Sequence, residues 1–139
     1  MIPVVFINCS RFPFISLILA GLKLYETRTR NTLQALVGQR VYLAETGRGR
    51  PVVRASAVIT EAFPVYSYNT YRKLRKAARI TPGSKYDWKR GTKIKWFYEL
   101  SDVQPVDPFI PPEGVRHGRV WMELIINMIG GKKNAVSHD

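Results

Sequence analysis

Residues 12–30 read FPFISLILAGLKLYETRTR, an apolar run from Phe12 to Leu22 broken by one serine and one glycine, then a lysine, a glutamate and two arginines among threonines. The apolar run falls far short of the roughly 20 residues that a membrane span needs. It therefore reads as a core helix, and no membrane partner is expected. Ser10 is placed to cap that helix near Phe12, and Gly21 to end it in the left-handed conformation. Leu24 to Arg30 then leaves as a strand. Side chains alternate along an extended chain, so Glu26, Arg28 and Arg30 share one face and Tyr25, Thr27 and Thr29 the other. Lys23 sits at the helix-to-strand bend.

The flanking sequence supplies more strands. Residues 1–8 (MIPVVFIN) are rich in β-branched side chains and read as a buried strand. Residues 32–37 form a short helical turn closed by Gly38, and 40–45 alternate as a strand. TGRGRP (46–51) is a hairpin-type connection, and 52–62 a long strand with Val53, Ala55, Ala57 and Ile59 on one face, stopped by Pro64. A helix is expected over 69–79 (NTYRKLRKAAR), capped by Asn69 or Ser67, and a loop over 81–91 (TPGSKYDWKRG). Residues 94–103 are strongly β-prone, with Ile94, Trp96 and Tyr98 on one side and Phe97 on the other. DPFIPPEGVRHG (107–118) forces a proline-rich excursion before a final strand at 120–126. About six strands, two or three helices and no internal repeat define an α+β class: a small mixed β-barrel, curled or closed, with flanking helices. One domain is expected over 1–126, and 127–139 as a polar, flexible tail.

Bulk composition agrees with a folded domain. The chain has 139 residues, 45% hydrophobic and 12% aromatic, too apolar for a disordered segment. Its 22 Lys and Arg against 10 Asp and Glu give a net charge of +12. Such an excess favours a polyanionic partner, nucleic acid before an anionic membrane surface. Cys9 is the single cysteine, which excludes an intrachain disulfide and suits a reducing cytoplasm; for zinc, only His117 and His138 could join it. The carboxylates are scattered without paired spacing, so no metal and no cofactor is expected. No sequence feature brings Cys9 and His117 together as a nucleophile and its base.

Between Arg72 and Lys95 the chain carries ten basic residues and one acidic residue, Asp87. On a helix Arg72, Lys76 and Arg79 fall on one face, flanked by Lys73 and Arg75. Lys85, Lys89 and Arg90 follow in the loop, with Tyr71, Tyr86 and Trp88 interleaved. Cations for a backbone and rings for stacked bases are what single-stranded nucleic acid requires. A solvated basic helix over core aromatics is the competing reading, and an acidic protein partner would also fit. Trp96, Tyr98 and Trp121, in the strongest strands, are assigned to core packing. Arg48, Arg50 and Arg54 form a smaller basic patch around the hairpin.

Gly21, Lys23, Glu26 and Arg28 fit the pattern G-x-K-x-x-E-x-R. An apolar helix ending in ILAG precedes it, LVGQRVYLAET (36–46) follows, and KIKWFYELSDVQPVDPFIPPEGVRHGRVWMEL (93–124) closes the domain with an aromatic strand, a proline-rich loop and a Gly…Trp strand. In this order the pattern resembles the ASCH domain family of the PUA-like superfamily, over most of residues 3–125. The resemblance implies a PUA-like β-barrel with a cleft beside the motif that binds RNA or a nucleotide, Gly21, Lys23, Glu26, Arg28 and Arg30 being the ligand-binding residues. It also implies an alternative, since some similar proteins hydrolyse acylated cytidine derivatives and nuclease activity is proposed for others. In the hydrolase type the motif lysine works with a threonine three residues later and a glutamate further on. Here Glu26 stands in the threonine position, and residues 67–79 (SYNTYRKLRKAAR) hold no carboxylate, so only Lys23 and Glu26 remain as candidate catalytic groups. Without the resemblance, the cluster reads either as a surface ion-pair network contributing little stability, or as a receptor in which a carboxylate positions cations for an acceptor-rich ligand.

Overall fold

Short β-branched runs separated by glycine and proline turns fold into one mixed sheet. The structure, a computed structural model, describes residues 2–111 and the strand backbones at 121–129 and 132–138. Chain order is β1 (Ile2–Asn8), α1 (Phe14–Leu19), β2 (Tyr25–Arg28), a 3-10 turn (Gln34–Leu36), β3 (Arg40–Thr46), β4 (Val52–Val65), α2 (Tyr68–Leu74), β5 (Lys95–Phe109), β6 (Trp121–Ile129) and β7 (Lys132–His138). Across the sheet the order is β2-β5-β4-β3-β1-β6-β7. β1 and β3 run parallel, and the other neighbours are antiparallel. The first five strands in that order curl into a half-barrel, as expected of an α+β PUA-like barrel with two helices.

The sheet continues beyond Ile126, where the sequence places the end of the domain: β6 runs to Ile129 and pairs with β7 from Glu123–His138 to Ile129–Lys132. β4 also passes through Pro64, which sits opposite Trp96, and β5 runs on to Phe109 through Pro105 and Pro108. Bulges absorb the irregularity. Register shifts separate Val53 from Ala55 and Leu43 from Ala44, and they split the expected face of β4. Ala55, Ala57 and Ile59 enter the main core, whereas Val53 joins Val4 and Ala44 in a second cluster.

The concave side is filled by Phe14, Ile15 and Ile18 of α1 against Val5, Ile7, Val41, Leu43, Tyr98 and Leu100. A third cluster of Val65, Tyr71, Ala78, Ile80 and Phe97 lies under α2 and the 81–91 loop. α1 starts later than the sequence suggests, at Phe14 after Pro13, whose fixed φ suits a helix entry; no side-chain cap is formed. Its end is as expected. Gly21 (φ +74°) donates to the Ile18 carbonyl and Leu22 to that of Leu17, a pair of bonds that closes the helix and turns Lys23 inward. α2 is capped by Ser67, whose hydroxyl accepts from the Thr70 amide. It is shorter than 69–79: bonded turns follow Leu74 until Arg79, at φ +54°, reverses the chain.

Gly47 ties the β3–β4 hairpin to β1. At φ +89°, a Cβ there would lie 2.7 Å from Asn8 Oδ1 and 2.9 Å from Ser10 Cβ. Gly47→Ala combines a left-handed conformation with a clash, so it should cost more than about 1 kcal/mol, read as a lowered urea midpoint at unchanged slope.

Candidate functional site

The half-barrel has an open seam. β2 ends the sheet on one side, and curling brings it opposite β1, which β6 pairs over Ile2–Val5. Phe6, Ile7 and Asn8 of β1 and Glu26, Thr27, Arg28 and Thr29 of the β2 segment line the two walls of a cavity of about 390 Å³. Phe14 and Lys23 form its α1 side, and Ile80, Lys85, Tyr86 and Lys95 close it from the far side. The Arg28 guanidinium spans the seam: Nη2 donates to the Phe6 carbonyl at 2.9 Å and to Glu26 Oε2 at 3.1 Å. Glu26 Oε1 accepts from the Thr27 amide at 3.0 Å. A side chain thus makes the link that a backbone ladder would otherwise make.

Lys23 is 2% exposed, and its Nζ donates to the Ala78 carbonyl at 2.6 Å while lying 4.6 Å from the centre of the Phe14 ring. Burial pushes the amine below the ordinary lysine range; Glu26 opposes that shift, and Arg28 adds to it. Glu26 is 8% exposed. A weak surface ion-pair network is therefore not what these groups form: Lys23 and Glu26 are buried and face a cavity. Arg28 Nε is buried without a hydrogen-bond partner among the described residues.

Of the other motif residues, Gly21 shapes the bend and lies outside the cavity lining. Arg30 follows the end of β2, is exposed and does not line the cavity; its carbonyl accepts from the Tyr98 hydroxyl. Cys9 is buried in the main core, its Sγ donating to the Ile7 carbonyl, and burial raises its thiol pKa. His117 lies outside the described residues. No group of three or more His, Cys, Asp or Glu among the described residues could hold a metal ion.

The basic segment divides. Arg72, Arg75, Lys76 and Arg79 line a second concavity of about 490 Å³ floored by Phe12, Leu17 and Ile80. Ile80 is common to the groove and the cavity, so the two meet at this side chain. Arg79 is anchored by Nε to the Leu22 carbonyl at 2.9 Å. Lys85 reaches the cavity. Lys73, Lys89 and Arg90 are exposed and line neither hollow, and Trp88 is half-buried with its ring 5.4 Å from that of Tyr71. Arg54 pairs with Glu45 at 3.0 Å.

From the sequence, Lys95 and Asp87 are counted in the basic segment, with neither given a place at the cavity. Lys95 is 5% exposed, and its Nζ donates to the Tyr86 carbonyl. One signal existed: Lys95 shares strand parity with Phe97, an inward position where a charge is unusual. Asp87 organises the 81–91 loop. Its Oδ1 accepts from the Tyr71 hydroxyl at 2.6 Å and the Trp88 amide at 2.9 Å; Oδ2 accepts from the Gly83 amide at 2.8 Å and lies 3.6 Å from Arg75. Burial acts to raise the Asp87 pKa, but the bonds from Tyr71, Gly83 and Trp88 and the Arg75 charge outweigh it and hold it below the ordinary carboxylate value.

Solved structures share this architecture. The chain superposes on the crystal structure of ASCH from Zymomonas mobilis with a TM-score of 0.65 at 22% identity, covering 78% of this chain and 72% of that one. A serine-to-alanine mutant of that protein gives 0.64 at 23% identity, with the same coverage; a tyrosine-to-phenylalanine mutant gives 0.64 at 23%, covering 78% and 74%. The chain has the ASCH domain fold. No protein-family model and no curated protein matches the sequence.

Asp87→Asn places an amide hydrogen donor against N–H or O–H donors, and should destabilise the protein by about 1–3 kcal/mol in urea titration. Because the folded-state pKa is depressed, the stability that the Asp87 carboxylate contributes is present above its unfolded value of about 3.8 and is lost as pH falls through the folded value. The difference between wild type and Asp87→Asn should therefore shrink below about pH 4.

Proposed function

We propose that the protein binds nucleotides or RNA, a nucleoside entering the seam cavity and the phosphate backbone following the Arg72–Arg79 groove. The observation that carries this reading is the buried Lys23 and Glu26 beside the half-buried Arg28 in a cavity of about 390 Å³, a volume in the range of small-ligand sites. Lys23 lines the cavity and retains donors beyond its bond to Ala78, so carbonyl and ring-nitrogen acceptors of a base are suitable partners. Phe14 and Tyr86, 5.2 Å apart, offer ring surfaces at the same cavity. The groove meets the cavity at Ile80, which would let one strand occupy both. The setting that suits a free thiol is the cytoplasm; no helix among the described residues is long and apolar enough to cross a membrane.

Backbone contacts make binding salt-dependent through counterion release. Affinity for a short single-stranded RNA should fall steeply between low and physiological salt, and Arg72→Ala or Lys76→Ala should each reduce the log–log slope by about one. An affinity that stays constant across the salt series would exclude the groove as a phosphate track.

A second reading, hydrolysis of an acylated cytidine nucleoside or of RNA through Lys23 and Glu26, is favoured by the depressed pKa of the buried Lys23 amine, which brings it closer to a nucleophilic state. Against it, both Glu26 oxygens are already engaged, by the Thr27 amide and by Arg28. Incubation with N4-acylated cytidine and with short RNA, using Lys23→Ala as control, decides the point: product above the control supports turnover, and none leaves binding as the function.

A further inference from the structure

Opposite the Lys23–Glu26–Arg28 set, the same cavity is lined by Lys85, Tyr86 and Lys95. Lys95 is buried to 5% exposure and its amine has one hydrogen-bond acceptor, the Tyr86 carbonyl. The acid whose field favours its charged form, Asp87, already takes contacts from Tyr71, Gly83, Trp88 and Arg75, so it is not available as a dedicated counterion. Lys85 holds its amine 5.1 Å from the centre of the Tyr86 ring, at an exposed position.

A buried ammonium without a dedicated carboxylate is costly unless something acceptor-rich meets it. The cavity lining counts four cationic side chains, Lys23, Arg28, Lys85 and Lys95, against one carboxylate, Glu26. A neutral nucleoside would leave that excess uncompensated. We infer that Lys85 and Lys95 form a phosphate subsite, so that the ligand is a nucleoside carrying a phosphate monoester or diester at that end. This deepens the nucleotide-binding reading and depends on it for the nucleoside half of the ligand, but not for the phosphate half. Phosphate suits the place because its oxygens accept several hydrogen bonds at once, from the amines of Lys85 and Lys95 together.

The test is calorimetric titration of the protein with the four ribonucleosides, their 5′- and 3′-monophosphates, and inorganic phosphate. The expected result is that at least one monophosphate binds ten-fold or more tightly than its nucleoside, and that inorganic phosphate binds alone and competes with it. Lys95→Met should reduce the monophosphate-to-nucleoside ratio to within about two-fold. Lys85→Met, which changes an exposed side chain and is the safer variant for folding, should lower it several-fold. Arg11→Ala, which removes a positive charge outside the cavity lining, should leave the ratio unchanged. Equal affinity for nucleoside and monophosphate, with no binding of inorganic phosphate, overturns the subsite while leaving nucleoside binding intact. A ratio that survives both Lys95→Met and Lys85→Met overturns it as well. Phosphate binding that is sensitive to both variants, with no affinity for any nucleoside or nucleotide, upholds the subsite and removes the nucleotide-binding reading.

Discussion

The arrangement depends on keeping the Lys23 amine inside the protein, against the Phe14 ring, where its charged form is poorly solvated. Such a group persists when neighbouring dipoles and charges replace part of the lost water. The Ala78 carbonyl supplies one dipole and Glu26 the opposite charge. Glu26 is in turn held by Arg28 and by the Thr27 amide. Each partner comes from a different piece of chain: the bend after α1, strand β2, and the turn that follows α2. Local order at the seam and the long-range fold are therefore the same problem.

The open seam is where the sheet would close if β1 and β2 paired. Arg28 bridges it through the Phe6 carbonyl, which leaves space beneath that a continuous ladder would remove. A sheet edge normally presents unpaired backbone groups that invite further strands. In this protein the edge borders a hollow lined with charge, which is a better place for a small polar ligand than for another strand. The loop after α2 forms the opposite wall, and Asp87 shapes it from beneath by accepting three hydrogen bonds and pairing with Arg75. The residues that touch the cavity and those that hold its wall are thus distinct, although they are neighbours in sequence.

Much of the fold was legible because its signals are local. Gly21 ended α1 as a left-handed residue must, Ser67 capped α2, and the β-branched runs became strands. Where the reading failed, the competing influence was tertiary. Pro105 and Pro108 are tolerated within β5 where its register with β4 shifts, and Pro64 lies past Val58, where β4 no longer pairs with β3, so the prolines did not end those strands. The bulges also sent Val53 to a different cluster from Ala55, although strict alternation puts them together. At the site, the motif brought Lys23, Glu26 and Arg28 into one lining but not Arg30, because β2 ends at Arg28.

By itself, the sequence determined an α+β class of barrel-like sheet, a strongly basic surface, and a helix-to-strand bend carrying an amine, a carboxylate and a guanidinium, since periodicity, turn chemistry and charge are properties of short segments. Tertiary structure alone decided that the amine and the carboxylate are buried and the guanidinium half-buried, that β1 lies across from β2, that Lys95 and Tyr86 line the motif's cavity from 58 or more residues away, and that Arg72 to Arg79 line a groove meeting the cavity at Ile80. The physical reason is that burial and the pairing of distant charges arise when the sheet curls, and curvature is a sum over bulges and strand twists that no single segment encodes.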